Sequence, residues 1–164
     1  MILVVADTGP VNYLVQTGEM GVLHAMAEKV VLPASVLVEL RHPEAPPAVR
    51  AWAAAPPEWV EVRAAAGEIG SPDISPADRE GISLALELRA TVLLMDDQQA
   101  RRHAARLGVA TMGTVGILEA AAERGLLELP AALERLRATS CFLSDEVIEG
   151  ALRRDAERRG TGRA

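Results

Sequence analysis

Acidic residues directly follow two apolar segments of this sequence. Asp7 comes after the apolar run of residues 2–6, and Asp96 and Asp97 come after the apolar run of residues 91–95. Two further acids, Glu39 and Asp78, lie in segments with helical patterning. Carboxylate oxygens are the ligands that Mg²⁺ and Mn²⁺ prefer in proteins. Such an ion lowers the pKa of a bound water and stabilises a phosphoryl transition state. The acids therefore suggest metal-assisted phosphodiester hydrolysis, provided that the fold brings them together.

The apolar segments indicate how the fold could bring these acids together. Short apolar runs alternate with amphipathic helical segments, a pattern typical of βαβ units around a parallel sheet. We predict strands at residues 2–6, 29–32, 59–63, 91–95 and 109–111. The carboxyl ends of parallel strands share one edge, where open α/β sheets bind their ligands. Asp7 and the Asp96–Asp97 pair are therefore expected to lie at the same edge.

Helix start signals lie between these strands. Pro10, Pro33, Thr114 and Pro130 fit first helical turns, and Ser144 fits the N-cap of a final helix. Ser75 or Asp78 is expected to cap the next helix, which carries Ile82, Ala85 and Leu86 on one face. The predicted fold class is α/β with a central parallel sheet.

Each acid also has a structural interpretation. Asp7 and Asp78 fit helix N-caps, Glu39 fits a solvated helix position, and Asp96–Asp97 fit a turn. Glu80 lies in the same first turn as Asp78 but faces another direction. These separate interpretations leave unexplained why acids end two different apolar strands with no lysine or arginine beside them.

Composition limits the remaining possibilities. The 164 residues suit one domain over residues 1–159, with 160–164 as a disordered tail. The single Cys141 cannot form an intrachain disulfide, and residues 1–6 are too short for a signal peptide or membrane span. We therefore expect a cytoplasmic protein without a membrane segment. The net charge of −6 argues against a broad basic surface for nucleic acids. Arginines crowd the C-terminus, where a solvated helix end is a simpler interpretation than a binding arm.

Five segments together resemble the PIN-domain family, and most closely its DUF3368 branch, which is related to VapC-type toxins. These segments are residues 4–10, 32–40, 78–85, 93–101 and 113–118. The resemblance covers the chain from Met1 to about Gly150. It implies a three-layer α/β/α fold with a central parallel sheet and a ribonuclease that depends on Mg²⁺ or Mn²⁺. It also implies an RNA substrate, a cognate antitoxin and a homodimer.

The resemblance also assigns site residues by position. The acidic quartet of the family falls on Asp7, Glu39, Asp78 and Asp97. Two hydroxyls that orient ligands fall on Thr8 and Thr114. Asp96 competes with Asp97, since either side chain could point inward. The branch commonly has Gly-Glu where this chain has Ala77-Asp78, so Glu80 is a possible substitute for the acid at that position.

Two rival functions can be compared with this interpretation. A phosphoacceptor receiver domain requires a lysine after its last strand, whereas Lys29, the only lysine, precedes an early strand. A PIN-fold protein without turnover, acting as a nucleic-acid or protein-binding regulatory module, remains open. Mn²⁺ binding compared with RNA cleavage on one preparation would separate that module from a nuclease.

Overall fold

Five short strands form one parallel sheet in the computed structural model, which describes residues 2–67 and 72–161. They are β1 (Leu3–Ala6), β2 (Lys29–Pro33), β3 (Val60–Arg63), β4 (Val92–Leu94) and β5 (Thr111–Met112), in the spatial order β3-β2-β1-β4-β5. All four residues of the central strand β1 are buried, which requires that both faces of the sheet are covered. The apolar run that predicted this strand is explained by that double burial.

Helices between the strands flank the sheet, as the predicted three-layer α/β/α class requires, and further helices follow the last strand. Their bounds are α1 (Thr8–Gln16), α2 (Gly21–Met26), α3 (Ala34–Leu40), α4 (Pro47–Ala54), α5 (Pro76–Leu88), α6 (Gln98–Arg106), α7 (Thr114–Glu123), α8 (Leu129–Arg137) and α9 (Asp145–Thr161). Ser75 caps α5 and Ser144 accepts a hydrogen bond from the backbone of Val147 in α9. None of the described helices is long and apolar enough to cross a membrane.

The path of the chain places β1 at a reversal point. The chain runs outward from β1 through β2 to β3, and then returns to the other side of β1 to form β4 and β5. β1 and β4 are paired neighbours, with Ala6 opposite Leu94. Open parallel sheets bind ligands at such a reversal, in the crevice beyond the carboxyl ends of the strands. Asp7 and Asp96 follow the two strands that flank this crevice.

Two helices cover one face of the sheet. Alternate strand residues pack with α5 and α6 in a single cluster of buried side chains: Leu3, Val5, Val31, Leu93 and Met95 from the sheet side, with Ile82, Leu84, Ala85, Ala100 and Ala104 from the helices. Successive strand residues point to opposite faces, so Leu3, Val5 and the residue after Ala6 point to the same face of the sheet. Asp7 therefore lies on the side of the sheet that carries α5.

The chain divides into two compact units, residues 1–114 and 115–164. The sheet and its crevice belong to the first unit. In the second unit α8 packs with α9, and Asp155 is 3% exposed and accepts hydrogen bonds from Arg158 and Arg159. The burial of this carboxylate is compensated by two guanidinium groups, so it has a structural explanation.

Three sequence expectations differ from the structure or lie outside it. The last strand begins at Thr111 rather than Val109, since Val109 and Ala110 complete the turn after Gly108, whose φ is +80°. Helix α9 includes residues 160 and 161 of the predicted tail, while residues 162–164 lie outside the described residues. Residues 68–71 of the predicted loop before α5 also lie outside them.

The amino edge of the sheet carries a different charge pattern. Lys29, the first residue of β2, forms an ion pair with Glu61 of β3 at 2.9 Å. Its hydrogen bond holds the pKa of the Glu61 carboxyl below its usual value, and Arg63 lies 3.6 Å from the same side chain. Both groups are exposed to solvent, so this pair contributes little to stability.

Candidate functional site

Asp7 is a buried acid without a structural partner for one of its oxygens. It lies at the N-cap position of α1, but its side chain makes no capping hydrogen bond. Only 5% of the residue is exposed, and its Oδ1 atom has no hydrogen-bond partner among the described residues. Its backbone N–H donates to the carbonyl of Leu94 at 2.9 Å, which ties it to the end of β4. The capping interpretation therefore does not explain this carboxyl group.

Asp78 meets Asp7 across the edge of the sheet. It lies in the first turn of α5, where Ser75 Oγ accepts a hydrogen bond from the Asp78 backbone at 3.2 Å. Because Ser75 caps the helix, the Asp78 carboxylate is free for another role. Together with burial, its negative charge raises the pKa of the Asp7 carboxyl group, so the two acids are close neighbours. Two acids that are 71 residues apart, at positions 7 and 78, therefore share one site.

The contact changes the protonation of the pair. Burial raises the pKa of Asp7 from 3.8 to about 9, and the negative charge of Asp78 acts in the same direction. The charge of Glu39 raises it further, whereas the backbone of Thr8 lowers it. The Asp7 carboxyl group therefore keeps its proton at neutral pH, unless a cation bound near both acids replaces it.

Glu39 and Thr8 form the exposed rim of the site. The Thr8 hydroxyl donates a hydrogen bond to Glu39 Oε2 at 2.5 Å, joining the first turn of α1 to the last turn of α3. Glu39 is exposed to solvent, but its charge reaches the Asp7 carboxyl group. Asp78 and Glu39, two further acids of the predicted quartet, therefore lie near enough to Asp7 for their charges to act on it.

Asp96 is the acid of the Asp96–Asp97 pair that turns toward this edge. Its two carboxylate oxygens accept hydrogen bonds from the backbone N–H and hydroxyl of Thr114, at 2.7 Å and 2.6 Å. A Cβ on Gly9 would lie 3.3 Å from its Oδ2, and one on Gly113 would lie 3.0 Å from its Oδ1. Asp96 therefore lies close to the start of α1, directly after Asp7, in space left by two glycines.

Asp97 has a structural partner instead. It is exposed, occupies the N-cap of α6 and accepts a hydrogen bond from the backbone of Ala100 at 2.8 Å through Oδ1. This position supports the capping interpretation of Asp97.

Glu80 also has protein partners. Its Oε1 accepts hydrogen bonds from the backbone and the hydroxyl of Ser35, at 2.9 Å and 2.8 Å. The contact joins the first turn of α3 to the second turn of α5, the helices that carry Glu39 and Asp78. Ser35 was not singled out from the sequence, because its partner is 45 residues away and no local signal connects them. The same holds for Gly9 and Gly113, whose importance depends on the position of Asp96.

The donor set suits a divalent cation. No group of three His, Cys, Asp or Glu side chains within residues 2–67 and 72–161 is already arranged around a metal position. The buried Oδ1 of Asp7 lacks a partner, however, and the repulsion between Asp7 and Asp78 is relieved here only by a proton. An all-oxygen pair of this kind fits Mg²⁺ or Mn²⁺, which would replace that proton.

The sheet order and the acids at its carboxyl edge define a PIN-type α/β protein. A family model described as DUF3368, PIN domain, matches residues 3–157, and the chain belongs to that family. The resemblance recognised from the sequence is thereby confirmed. PIN domains are generally nucleases that typically bind divalent metals.

A solved structure supports the fold. The chain resembles a PilT N-terminus domain protein from the hyperthermophilic archaeon Sulfolobus solfataricus with a TM-score of 0.53 and 16% identity, over 73% of this chain and 92% of that protein. At this identity the likeness concerns the fold alone. None of the curated proteins compared with the chain matches it significantly.

The raised pKa of Asp7 predicts how stability changes with pH. The folded state keeps a proton that the unfolded state releases near pH 3.8, so metal-free protein loses stability as the pH rises from there to about 9. One such group contributes at most about 1.4 kcal/mol per pH unit. Asp7→Asn should reduce that slope, as measured by urea unfolding in EDTA from pH 5 to pH 9. Parallel curves for the two proteins would contradict the buried proton.

The Ser35–Glu80 contact predicts a variant that weakens the site indirectly. Ser35→Ala removes the hydroxyl donor to Glu80, which should lower the free energy of unfolding by about 1–2 kcal/mol and also weaken Mn²⁺ binding. Ser144→Ala is the matched control, because it removes a helix cap in the second unit at a cost of about 1 kcal/mol. Calorimetric titration with Mn²⁺ should distinguish the two variants. Equal Mn²⁺ affinities would show that the contact supports only stability.

Proposed function

We propose that this protein is a ribonuclease that uses Mg²⁺ or Mn²⁺ to hydrolyse phosphodiester bonds in RNA. The observation that carries the proposal is the buried Asp7 carboxyl group at the carboxyl edge, whose Oδ1 has no hydrogen-bond partner among the described residues. Asp78 and Glu39 are near enough for their charges to raise its pKa. Carboxylates that repel each other in a buried site are stabilised by a divalent cation, and such ions support phosphoryl chemistry. Membership in the PIN family is consistent with this proposal.

The residues divide into two roles. Asp7 and Asp78 hold the ion, and Glu39 adds a third carboxylate from the rim. Thr8 orients Glu39, and Thr114 orients Asp96, through the hydrogen bonds described above. The bound ion supplies the positive charge that activates water and stabilises the transition state. Asp96, rather than Asp97, completes the acidic quartet, because it lies beside Gly9 at the start of α1, whereas Asp97 is exposed at the start of α6.

A toxin role and its partners belong to the same proposal. The likeness to VapC-type toxins favours a cognate antitoxin that binds and inhibits the enzyme, and a homodimer. The segment between α8 and α9 exposes 91% of Phe142, and Val147 at the start of α9 is 45% exposed. Exposed apolar side chains of this size are typical of protein interfaces.

Asp7→Asn tests the proposed activity. Removing a buried metal ligand should lower the rate of RNA cleavage at saturating Mn²⁺ by more than about 100-fold. Substituting a residue that merely hydrogen-bonds to a metal ligand already costs about 10–100-fold in activity. Asp145→Asn, an exposed acid at the start of α9, is the matched control and should retain full activity. Equal cleavage by the Asp7 variant would exclude Asp7 as a ligand.

The choice between Asp96 and Asp97 requires its own pair of variants. Asp96→Asn should lose most activity, whereas Asp97→Ser, which can still cap α6, should retain it. Circular dichroism and thermal melting would show that both variants fold. The reverse result would assign the ligand to Asp97.

The binding-module alternative predicts a different combination of results. A PIN-fold protein without turnover would bind RNA or a protein partner and would show no cleavage with either ion. Wild-type protein that binds Mn²⁺ but leaves RNA intact would therefore contradict the nuclease and favour the module.

A further inference from the structure

A basic cleft lies beside the acidic site, between α6 and the segment that leads into α5. It has a volume of about 250 Å³ and is lined by Asp73, Ile74, Gln99, Arg102, His103 and Arg106. The four lining residues from α6 follow the spacing i, i+3, i+4 and i+7, so they share one face of the helix. This face of α6, with residues 73 and 74 opposite, is called the α6 cleft below.

The arginines of the α6 cleft lack acidic partners. Within residues 2–67 and 72–161, neither Arg102 nor Arg106 forms an ion pair. They are one helical turn apart, at i and i+4, where like charges repel unless an anion lies between them. Among the described lining residues Asp73 is the one acid, so the two arginines give the cleft a positive balance.

Several arginines of α9, unlike those of the α6 cleft, form ion pairs with acidic residues. Arg154 forms an ion pair with Glu119 at 2.8 Å, and Arg159 forms one with Glu128 at 2.8 Å. Arg158 contacts the buried Asp155. Three of the four described arginines between residues 153 and 159 are therefore engaged in ion pairs. Both arginines of the α6 cleft, by contrast, are exposed and form no ion pair among the described residues.

His103 adds a polar atom without a partner. Its Nε2 is buried and has no hydrogen-bond partner among the described residues, although the side chain lines the α6 cleft. A buried nitrogen without a partner is unfavourable unless a ligand or water supplies one. An oxygen anion bound in the cleft that His103 shares with Arg102 and Arg106 would supply an acceptor for an Nε2–H group.

The α6 cleft begins at the carboxyl edge of the sheet. Gln99 is in the first turn of α6, immediately after Asp96 and Asp97, and Ile74 precedes the Ser75 cap of α5. From the first residue of α6 to Arg106 the helix rises about 12 Å, at 1.5 Å per residue. The cleft can therefore follow an RNA strand for a short distance away from the acids.

We propose that the α6 cleft binds backbone phosphates of the RNA next to the scissile bond, with Arg102 and Arg106 as the principal ligands. This inference rests on the proposed ribonuclease function. Guanidinium groups bind phosphate oxygens in a planar, bidentate geometry. A chain with a net charge of −6 needs a local group of this kind to hold an RNA strand near an acidic site. Contacts to the backbone would position RNA without selecting a sequence.

The test measures RNA binding separately from cleavage. The parent is the Asp7→Asn variant without metal, and the probe is a short, fluorescently labelled single-stranded RNA. Adding Arg102→Gln and Arg106→Gln should weaken binding on the order of 10-fold at about 0.1 M salt. The slope of log Kd against log salt should fall by about 1.4, because each lost contact to a single strand accounts for about 0.7.

A second pair of substitutions provides the control. Arg124→Gln with Arg153→Gln removes the same charge from exposed positions of the second unit, and should leave the salt slope unchanged. Arg102→Glu provides a second variant of the cleft and should weaken binding more than Arg102→Gln. Thermal melting would confirm that all variants are folded.

The outcomes separate this inference from the proposed activity. The inference would be overturned if the cleft variant kept the RNA affinity and salt slope of its parent, or if the parent bound no RNA. The first of these results would not contradict the proposed nuclease, because cleavage by the wild-type protein is measured separately. Loss of affinity in the cleft variant alone, together with wild-type protein that cleaves no RNA, would support the cleft and contradict the nuclease.

Discussion

The repulsion between the buried carboxyl group of Asp7 and the partly exposed carboxylate of Asp78 is the constraint on which the candidate site depends. Asp7 and Asp78 can lie together only if something positive lies between them, and in the protein alone this is a proton. The surrounding structure enforces the contact. β1 is buried on both faces and fixes the backbone of Asp7, while the Ser75 cap fixes the first turn of α5. The fold therefore sustains an unfavourable contact that a bound ion would relieve.

Hydrogen-bond partners distinguish acids that support the structure from acids available for chemistry. Asp97 and Glu80 both accept bonds from backbone N–H groups, one at the start of α6 and the other at the start of α3. Asp7 Oδ1 has no such partner in the described part of the chain, although it is buried. Since buried polar atoms are almost always satisfied, the exception indicates a ligand site.

The sequence predicted the fold well because its signals were local. Continuous apolar runs marked strands buried on both faces, and proline or serine marked the helix starts. The convergence of Asp7 and Asp78 was also predictable, since it follows from the shared edge of parallel strands and the helix that starts there. The choice between Asp96 and Asp97 was not predictable. A shift of one residue reverses the direction of a side chain, and only the positions of Thr114, Gly9 and Gly113 show which acid turns inward.

The single lysine provides a practical means of orienting the protein. Lys29 begins β2 at the amino edge of the sheet, whereas the acidic site lies beyond the carboxyl ends of β1 and β4. Every other basic side chain apart from histidine is an arginine, which common amine-reactive reagents do not modify. Coupling to a solid support or a dye through side-chain amines would therefore attach the molecule at the edge opposite its carboxylates. Protein immobilised in this way would keep the edge that carries Asp7 and Asp96 facing away from the support.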